Sequence, residues 1–412
     1  MFDDNTFFKK IRLKNFLSYG EEGVELECQP LNVFIGPNAA GKSNLIEAFR
    51  IMKAAAYDMT EKLNVSEIIR QGGGITEWIW KGKTDNPISS IDVFTKNPKD
   101  ETFIHYVLMF RRSARNIYEL FDETIRIADS NFVDISQDWA NNQGRPALKS
   151  YIQDSKEMEE ISKEPWKFNH ARVDELDLSK SILAQRKDPQ RFPTVSALVD
   201  YFSNVRIYRD INVGLNSPIR QYQPSESDQN FLLEDASNLA LVINNLEKDT
   251  DTGNLLYEYL KRFYKYFDRI TMDFKGGILI NLHELNLDGS VSAKRLSDGI
   301  LHYLCLLAIL LHPEPPPVVC IEEPELCMHP KIISTIGELL VNASKRTQLF
   351  VTTHSSTLVS ALTDYPDSIV VCERDEKGSH LKRLEKERLE KWLELYSSLG
   401  TLWRMGEIGG NP

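Results

Sequence analysis

The chain has 412 residues, a formal net charge of −11, and 42% hydrophobic against 26% charged residues. That balance suits a globular protein with a large core divided between two or three subregions, and it excludes one coated in basic surface. No apolar run reaches the ~18–20 residues that cross a bilayer, Met1 to Thr6 lacks the basic and apolar parts of a leader, and five cysteines without a C-x-x-C pair argue against a disulfide framework or a thiolate zinc site.

In chain order, Ile11 to Phe16 and Val24 to Leu26 read as short strands leading into a third, Leu31 to Ile35. The third runs straight into Gly36-Pro37-Asn38-Ala39-Ala40-Gly41-Lys42-Ser43, which fits G-x-x-x-x-G-K-[ST], with Asn44 next in line. Leu45, Ile46, Phe49 and Met52 then give Ser43 to Ala56 a helical period. Gly36 and Gly41 let successive N–H groups turn onto phosphates, and the helix adds its positive end. Lys42 is placed to neutralise the β- and γ-phosphates of ATP, and Ser43 to hold Mg²⁺ through its hydroxyl. Gln71, before the turn Gly72-Gly73-Gly74, is a candidate contact to Mg²⁺ or water from a mobile loop.

Ile91 to Phe94 and Phe103 to Phe110 are further expected strands. From Arg112 to Asn230 the pattern becomes irregular, with short apolar helices between polar and proline-containing stretches. Leu239 to Leu246 and Leu255 to Phe267 regain helical periodicity, and Met272 to Phe274 with Ile278 to Leu282 predict a hairpin across Lys275-Gly276-Gly277. Ser297 is a good helix-start residue before Asp298 to Leu311, with Gly299 beside it. Strand Val318 to Ile321 delivers Glu322 and Glu323 to its C-terminal end, where α/β sheets hold ligands. Glu322 is the candidate Mg²⁺ carboxylate, and Glu323 the group that orients or deprotonates an attacking water.

A helix over Ile332 to Asn342, a strand over Gln348 to Thr352, a helix over Thr357 to Leu362 and a strand over Ser368 to Cys372 complete the pattern. Such alternation predicts a largely parallel sheet covered on both faces. His354, just past the Gln348 strand, is placed to hydrogen-bond the γ-phosphate or the water. Three basic sets remain: Arg111, Arg112 and Arg115; Lys180, Arg186, Lys187 and Arg191; and Lys382, Arg383, Lys386, Arg388 and Lys391. Each reads first as solvated surface and second as a phosphate track. Trp403 and Met405 suit either a docking contact or a fraying terminus.

On these residues the chain resembles the ABC-type ATPase heads of the RecF/SMC class. It is more closely similar to the compact AAA-family ATPases of the AAA_21 type, related to the ATPase part of OLD-family proteins. The resemblance covers most of residues 8–375. Gly36 to Ser43 matches Walker A. Glu322-Glu323-Pro324-Glu325 matches Walker B and its catalytic glutamate, with Glu322 in place of the usual aspartate. Leu296-Ser297-Asp298-Gly299-Ile300 looks like the signature, with Asp298 in place of the commoner glycine. His354 looks like the switch histidine, the Leu326-to-Pro330 turn like the D-loop, and Asp235 to Ala240 like a further motif of these compact ATPases.

The resemblance implies an α/β P-loop NTPase with an ABC-type split head and a mixed, largely helical middle insertion. Its expected parts are an N-terminal lobe over 1–111, an insertion or lid, mainly helical, over 112–230, a C-terminal lobe over 231–375 and a helical tail over 376–412. It also implies ATP and Mg²⁺ as ligands, with Lys42, Glu323 and His354 in catalysis. Two copies would close on ATP, with Ser297 and Gly299 reaching the partner's nucleotide. Related chains can carry a C-terminal Toprim nuclease domain; the roughly 40 residues after Cys372 have no room for one and no D-x-D motif. The expected effector is therefore a separately encoded nuclease or toxin, as in phage-defence modules. Three functions stay open: an ATP-gated switch controlling DNA or an effector, a RecF-like DNA-repair or DNA-end sensor, and a non-catalytic scaffold restraining a toxin or nuclease. The expected setting is cytoplasmic, with no membrane partner.

Overall fold

The structure, a computed structural model, describes residues 6–57, 64–97, 102–129, 149–150, 180–185, 188–190, 192–226, 228–387, 389, 396 and 398–410. Among the described residues the strands fall into three sheets. An antiparallel sheet runs β2 (Val24–Glu27), β1 (Phe8–Lys14), β4 (Ser89–Lys96), β5 (Phe103–Arg112) and β6 (Tyr118–Ala128), with β7 (Lys149–Ser150) added in parallel at its edge. A second sheet runs β15 (Gly378–Arg383), β14 (Ile369–Asp375), β3 (Leu31–Ile35), β13 (Gln348–Thr352), β12 (Val318–Glu322) and β8 (Arg206–Tyr208). It is parallel throughout except for β15. The third is a small antiparallel sheet of β9 (Phe267–Phe274), β10 (Ile278–Glu284) and β11 (Ser290–Ser292).

The parallel sheet works as a partition between two cores, and its sequence shows why. Side chains alternate across a strand, so a strand covered on both faces must be apolar at successive positions. Val319, Ile321, Leu349, Val351, Val33 and Ile35 join the core built by the helices Asp298–Leu310, Pro330–Ala343, Ser356–Ala361 and Leu399–Arg404. Val318, Cys320, Phe350, Phe34, Val370 and Cys372 face the other core, with the helix Lys42–Ala55 and the antiparallel sheet. Phe49 of that helix meets Phe350 with ring centroids 4.4 Å apart. Each such fully buried side chain contributes ~1.5–3 kcal/mol, so strand order and helix placement are fixed together.

Several expected boundaries move. The helix foreseen over Leu255 to Phe267 spans Thr250–Phe263, started by Asp249, whose carboxylate accepts from Thr252 N–H at 2.9 Å. Tyr264 is extended, and β9 takes over from Phe267 because Phe267 and Ile270 are buried there. The expected break at 111/112 falls inside β5, and the next residues return as β6. Charged residues hide that strand from a hydrophobicity pattern. Glu123 on it is nevertheless buried, held by Tyr106 Oη–H at 2.7 Å, Ser181 Oγ–H at 2.6 Å and Ile182 N–H at 2.8 Å.

Past 376 the chain forms a strand, β15, before the helix Leu399–Arg404, because Gly378 to Arg383 pairs with β14. Trp403 neither frays nor docks outward: it is wholly buried, and its indole N–H is bonded to Gly410 O, while Met405 is exposed. Most of 130–179 in the expected insertion, and Arg186, Lys187, Arg191, Arg388 and Lys391 of the basic sets, lie outside the described residues. Among the described residues no helix is long and apolar enough to cross a membrane.

Candidate functional site

Parallel strands place the C-terminal ends of β3, β8, β12 and β13 along one edge, where ligands sit in open α/β sheets. The glycine loop leaves β3 at Gly36, whose φ is +144°; a Cβ there would lie 2.2 Å from Cys372 O on β14. At Gly41, φ is +104°, and a Cβ would lie 2.5 Å from Ser379 Oγ and 2.8 Å from Ser18 Oγ. Neither position tolerates a side chain.

Pro37, Asn38 and Ala39 form an exposed rim, while Ala40 is buried. Lys42 is also buried, and its ammonium donates to Gly36 O at 2.7 Å and Pro37 O at 2.9 Å. Burial lowers its pKa from the ordinary value, opposed by the charge of nearby groups including Glu323 and Glu325. Asn44 points elsewhere: its amide donates to Ser18 Oγ at 2.7 Å, which ties the loop to the β1–β2 connection. The Arg374 guanidinium reaches Ala39 O at 3.4 Å, a support that no motif marks.

The carboxylates arrive on β12, level with β13 through the pair Glu322–Thr352. Ser43 Oγ–H donates to Glu322 Oε2 at 2.9 Å. Glu323 follows with φ at +47°, a left-handed conformation that costs a non-glycine residue on the order of 1–2 kcal/mol. Its N–H is retained by Thr352 O at 2.9 Å, and its Oε1 stands 3.7 Å from His354 Nε2. Burial, then the neighbouring Lys42 charge, pushes His354 below the ordinary imidazole value, although Glu323 opposes this.

Two sets of contacts on this edge were not foreseen from the sequence. Glu325 accepts from Thr353 Oγ–H at 2.5 Å and from His354 N–H at 2.9 Å, clamping the ends of β12 and β13, and burial raises its carboxyl pKa. Arg209, one residue past β8, donates from Nε to Glu322 Oε1 at 2.6 Å and from Nη1 to Glu47 Oε1.

Gln71 ends the helix Val65–Gln71, and its amide bonds Glu67 one turn back at 2.8 Å. Ser297 is exposed and caps Asp298–Leu310, accepting from Ile300 N–H at 3.3 Å. Gly299 lies against the turn after β12; a Cβ would come 3.0 Å from Cys327 O. Asp298 does not stand as a bare charge, since buried Arg220 pairs with it at 2.5 Å. Arg220 also donates to Val213 O, Ala293 O and Leu296 O at 2.8, 3.0 and 2.7 Å. Arg220→Ala would leave these acceptors without a donor, so a stability loss of ~2–4 kcal/mol is expected. Chemical denaturation checks this, and a midpoint unchanged from wild type contradicts it.

One hydroxyl and one carboxylate converging at 2.9 Å fit a hard divalent cation that takes its remaining ligands from phosphate and water. Among the described residues no cluster of three or more His, Cys, Asp or Glu could form an all-protein metal cage. Ser43 and Glu322 are thus the pair that would hold Mg²⁺.

The AAA_21 family, described as "AAA domain, putative AbiEii toxin, Type IV TA system", matches residues 31–360. The Old nuclease of Escherichia phage P2 is 22% identical over 414 residues, covering 94% of this chain; the chain spans 62% of that relative's length. Among solved structures, an Smc head bound to the C-winged helix domain of ScpA superposes with a TM-score of 0.52 at 14% identity, over 93% of this chain and 99% of that one. An Smc head with an extended coiled coil, bound to the C-terminal domain of ScpA and derived from Pyrococcus furiosus, gives 0.52 at 15% identity, over 95% and 100%. These likenesses are of fold: an α/β P-loop NTPase head.

Proposed function

This chain belongs to the AAA_21 family of AAA domains, and from that premise we propose that it is an Mg²⁺-dependent ATPase acting as a molecular switch. The observation that carries the reading is the shared sheet edge. Ser43 and Glu322 meet there at 2.9 Å, and Glu323 faces His354 at 3.7 Å. Lys42 exchanges its bonds with the Gly36 and Pro37 carbonyls for bonds to phosphate oxygens. Ser43 and Glu322 would hold Mg²⁺, which when bound would neutralise phosphate charge. Glu323 accepts a proton from water as the water oxygen bonds to the γ-phosphorus and the bond to the bridging oxygen breaks. His354 orients that water or the γ-phosphate as a neutral imidazole.

Two copies close around ATP in this reading. Exposed Ser297, at the start of a 13-residue helix, offers its N-terminal amides to the partner's γ-phosphate. The Arg220–Asp298 pair removes the net charge that would oppose this approach. Opening after hydrolysis then controls DNA or a separately encoded nuclease or toxin, in the setting of phage defence. The nuclease name of the phage P2 relative supports a connection to nuclease action. Phosphate release measured together with light-scattering mass tests the switch. Monomeric mass in ATP, or no release, sinks it. Turnover equal with and without duplex DNA at low salt removes DNA as the trigger, and co-purification from the native operon identifies an effector.

A pH dependence follows. The pKa of His354 is depressed below the ordinary imidazole value by burial and by the Lys42 charge, so the ring is neutral at pH 7 and gains its proton only at lower pH than an ordinary histidine. Turnover should therefore persist through the pH range where an ordinary imidazole takes up its proton, and decline only at lower pH. His354→Gln should lower turnover at neutral pH and remove that part of the acid limb. An acid limb identical in the variant contradicts the role of His354.

A further inference from the structure

The bridge made by Arg209 belongs to no motif in the sequence. β8 pairs with β12 in parallel, Tyr208 opposite Ile321, which brings Arg209 level with Glu322. The strand is anchored from behind: Glu234 accepts from Ile207 N–H at 2.8 Å and from Lys53 Nζ at 2.6 Å, and Lys53 lies on the helix that starts at the glycine loop. From this fixed base the guanidinium reaches two carboxylates at once, Glu322 through Nε at 2.6 Å and Glu47 through Nη1. Glu47 lies one turn past Ser43, on the same side of the helix. Both carboxylate side chains are largely buried, at 11% and 15% exposure, against 37% for Arg209.

We propose that Arg209 is a positioning residue for the metal half of the site, acting through Glu322. Two buried carboxylates brought together repel unless a cation lies between them. A glutamate also has one more rotatable bond than an aspartate, so its oxygens are less fixed. Arg209 holds Oε1 of Glu322 and leaves Oε2 toward Ser43 Oγ, where the cation would bind. The longer arm of Glu322 is thus compensated by a side chain from a different part of the chain. The planar fork of arginine suits this double contact, whereas lysine offers a single point charge.

The inference rests on the Mg²⁺–ATP reading, and its test is a binding measurement. A fluorescent ATP analogue is titrated onto wild type, Arg209→Ala and Arg209→Lys, in EDTA and across a Mg²⁺ series. Removing an outer partner of a metal ligand typically costs ~10–100-fold in metal affinity. Arg209→Ala should therefore raise the Mg²⁺ concentration for half-maximal effect by about tenfold or more, leave binding in EDTA within about twofold, and be partly rescued in Arg209→Lys. An unchanged Mg²⁺ midpoint overturns the assignment. So does a lowered midpoint, which would make the guanidinium a competitor of the metal. If Arg209→Ala does not fold, Glu47→Gln weakens the other end of the fork and should shift the midpoint the same way; no shift there overturns it too. Wild type that binds nucleotide with no response to Mg²⁺ overturns the Mg²⁺–ATP reading itself, whereas a responsive wild type whose Mg²⁺ midpoint the variants share removes only the role of Arg209.

Discussion

Glu323→Gln should lower ATP turnover by about 10²- to 10⁴-fold, the usual contribution of a positioned general base, while nucleotide binding stays near wild type. The amide keeps the length and shape of the carboxylate but cannot accept the proton of water at neutral pH. The backbone that aims it is untouched, since the left-handed turn at Glu323 is held by its own N–H to Thr352 O. Glu322 and Ser43 also keep their 2.9 Å contact. A protein that binds ATP without consuming it should accumulate in the closed state, so light scattering should report a dimer that persists in ATP. Single-turnover phosphate release reads the chemical step separately from product release. Turnover at the wild-type rate in the purified variant would remove Glu323 from the hydrolytic step.

Lys42→Ala acts earlier, on binding. Truncating one member of a buried charged contact commonly costs ~2–5 kcal/mol, which corresponds to about 30- to several-thousand-fold in the dissociation constant for ATP. The free protein should be less affected. Lys42 opens its helix, and the residues that anchor that helix, Leu45, Ile46, Phe49 and Met52, remain buried. The local cost is that Gly36 and Pro37 carbonyls each lose a donor, about 1–2 kcal/mol in all if water replaces part of the loss. Calorimetric titration with ATP and a thermal melt separate the two effects. ATP affinity within threefold of wild type would contradict the phosphate role.

How far the molecule could be read in advance depended on distance along the chain. The strands β3, β12 and β13 were legible because a strand covered on both faces must be apolar at nearly every position. The glycine loop and the Glu322–Glu323 pair were legible because each function sits within a few consecutive residues. Arg209 and Arg220 were not, since the carboxylate partners of Arg209 lie 113 and 162 positions away and that of Arg220 lies 78 away, and no local spacing marks the pairing. Glu325 was visible only as one more acidic residue; its clamp on Thr353 and His354 exists only once β12 and β13 are side by side. β6 was hidden by a glutamate at a position where hydrophobicity would place an apolar residue, made tolerable by three hydrogen bonds. Asn44 shows the opposite case, a residue in motif register whose side chain turned away to brace Ser18.

The place of β3 also bears on how the protein is made. Val33 pairs with Val351 on one side and Ile369 on the other, and the Asn32 amide bonds Leu349 O, 317 positions downstream. The phosphate loop thus leaves the ribosome about 300 residues ahead of its flanking strands, Asn32 and Leu349 being 317 positions apart. At ordinary rates of synthesis that interval is on the order of tens of seconds, during which Val33, Phe34 and Ile35 have neither sheet neighbour. Nascent chains stalled before Ile369 should bind no nucleotide and should engage chaperones through this segment, so the newborn protein cannot draw on ATP until β13 and β14 have been translated.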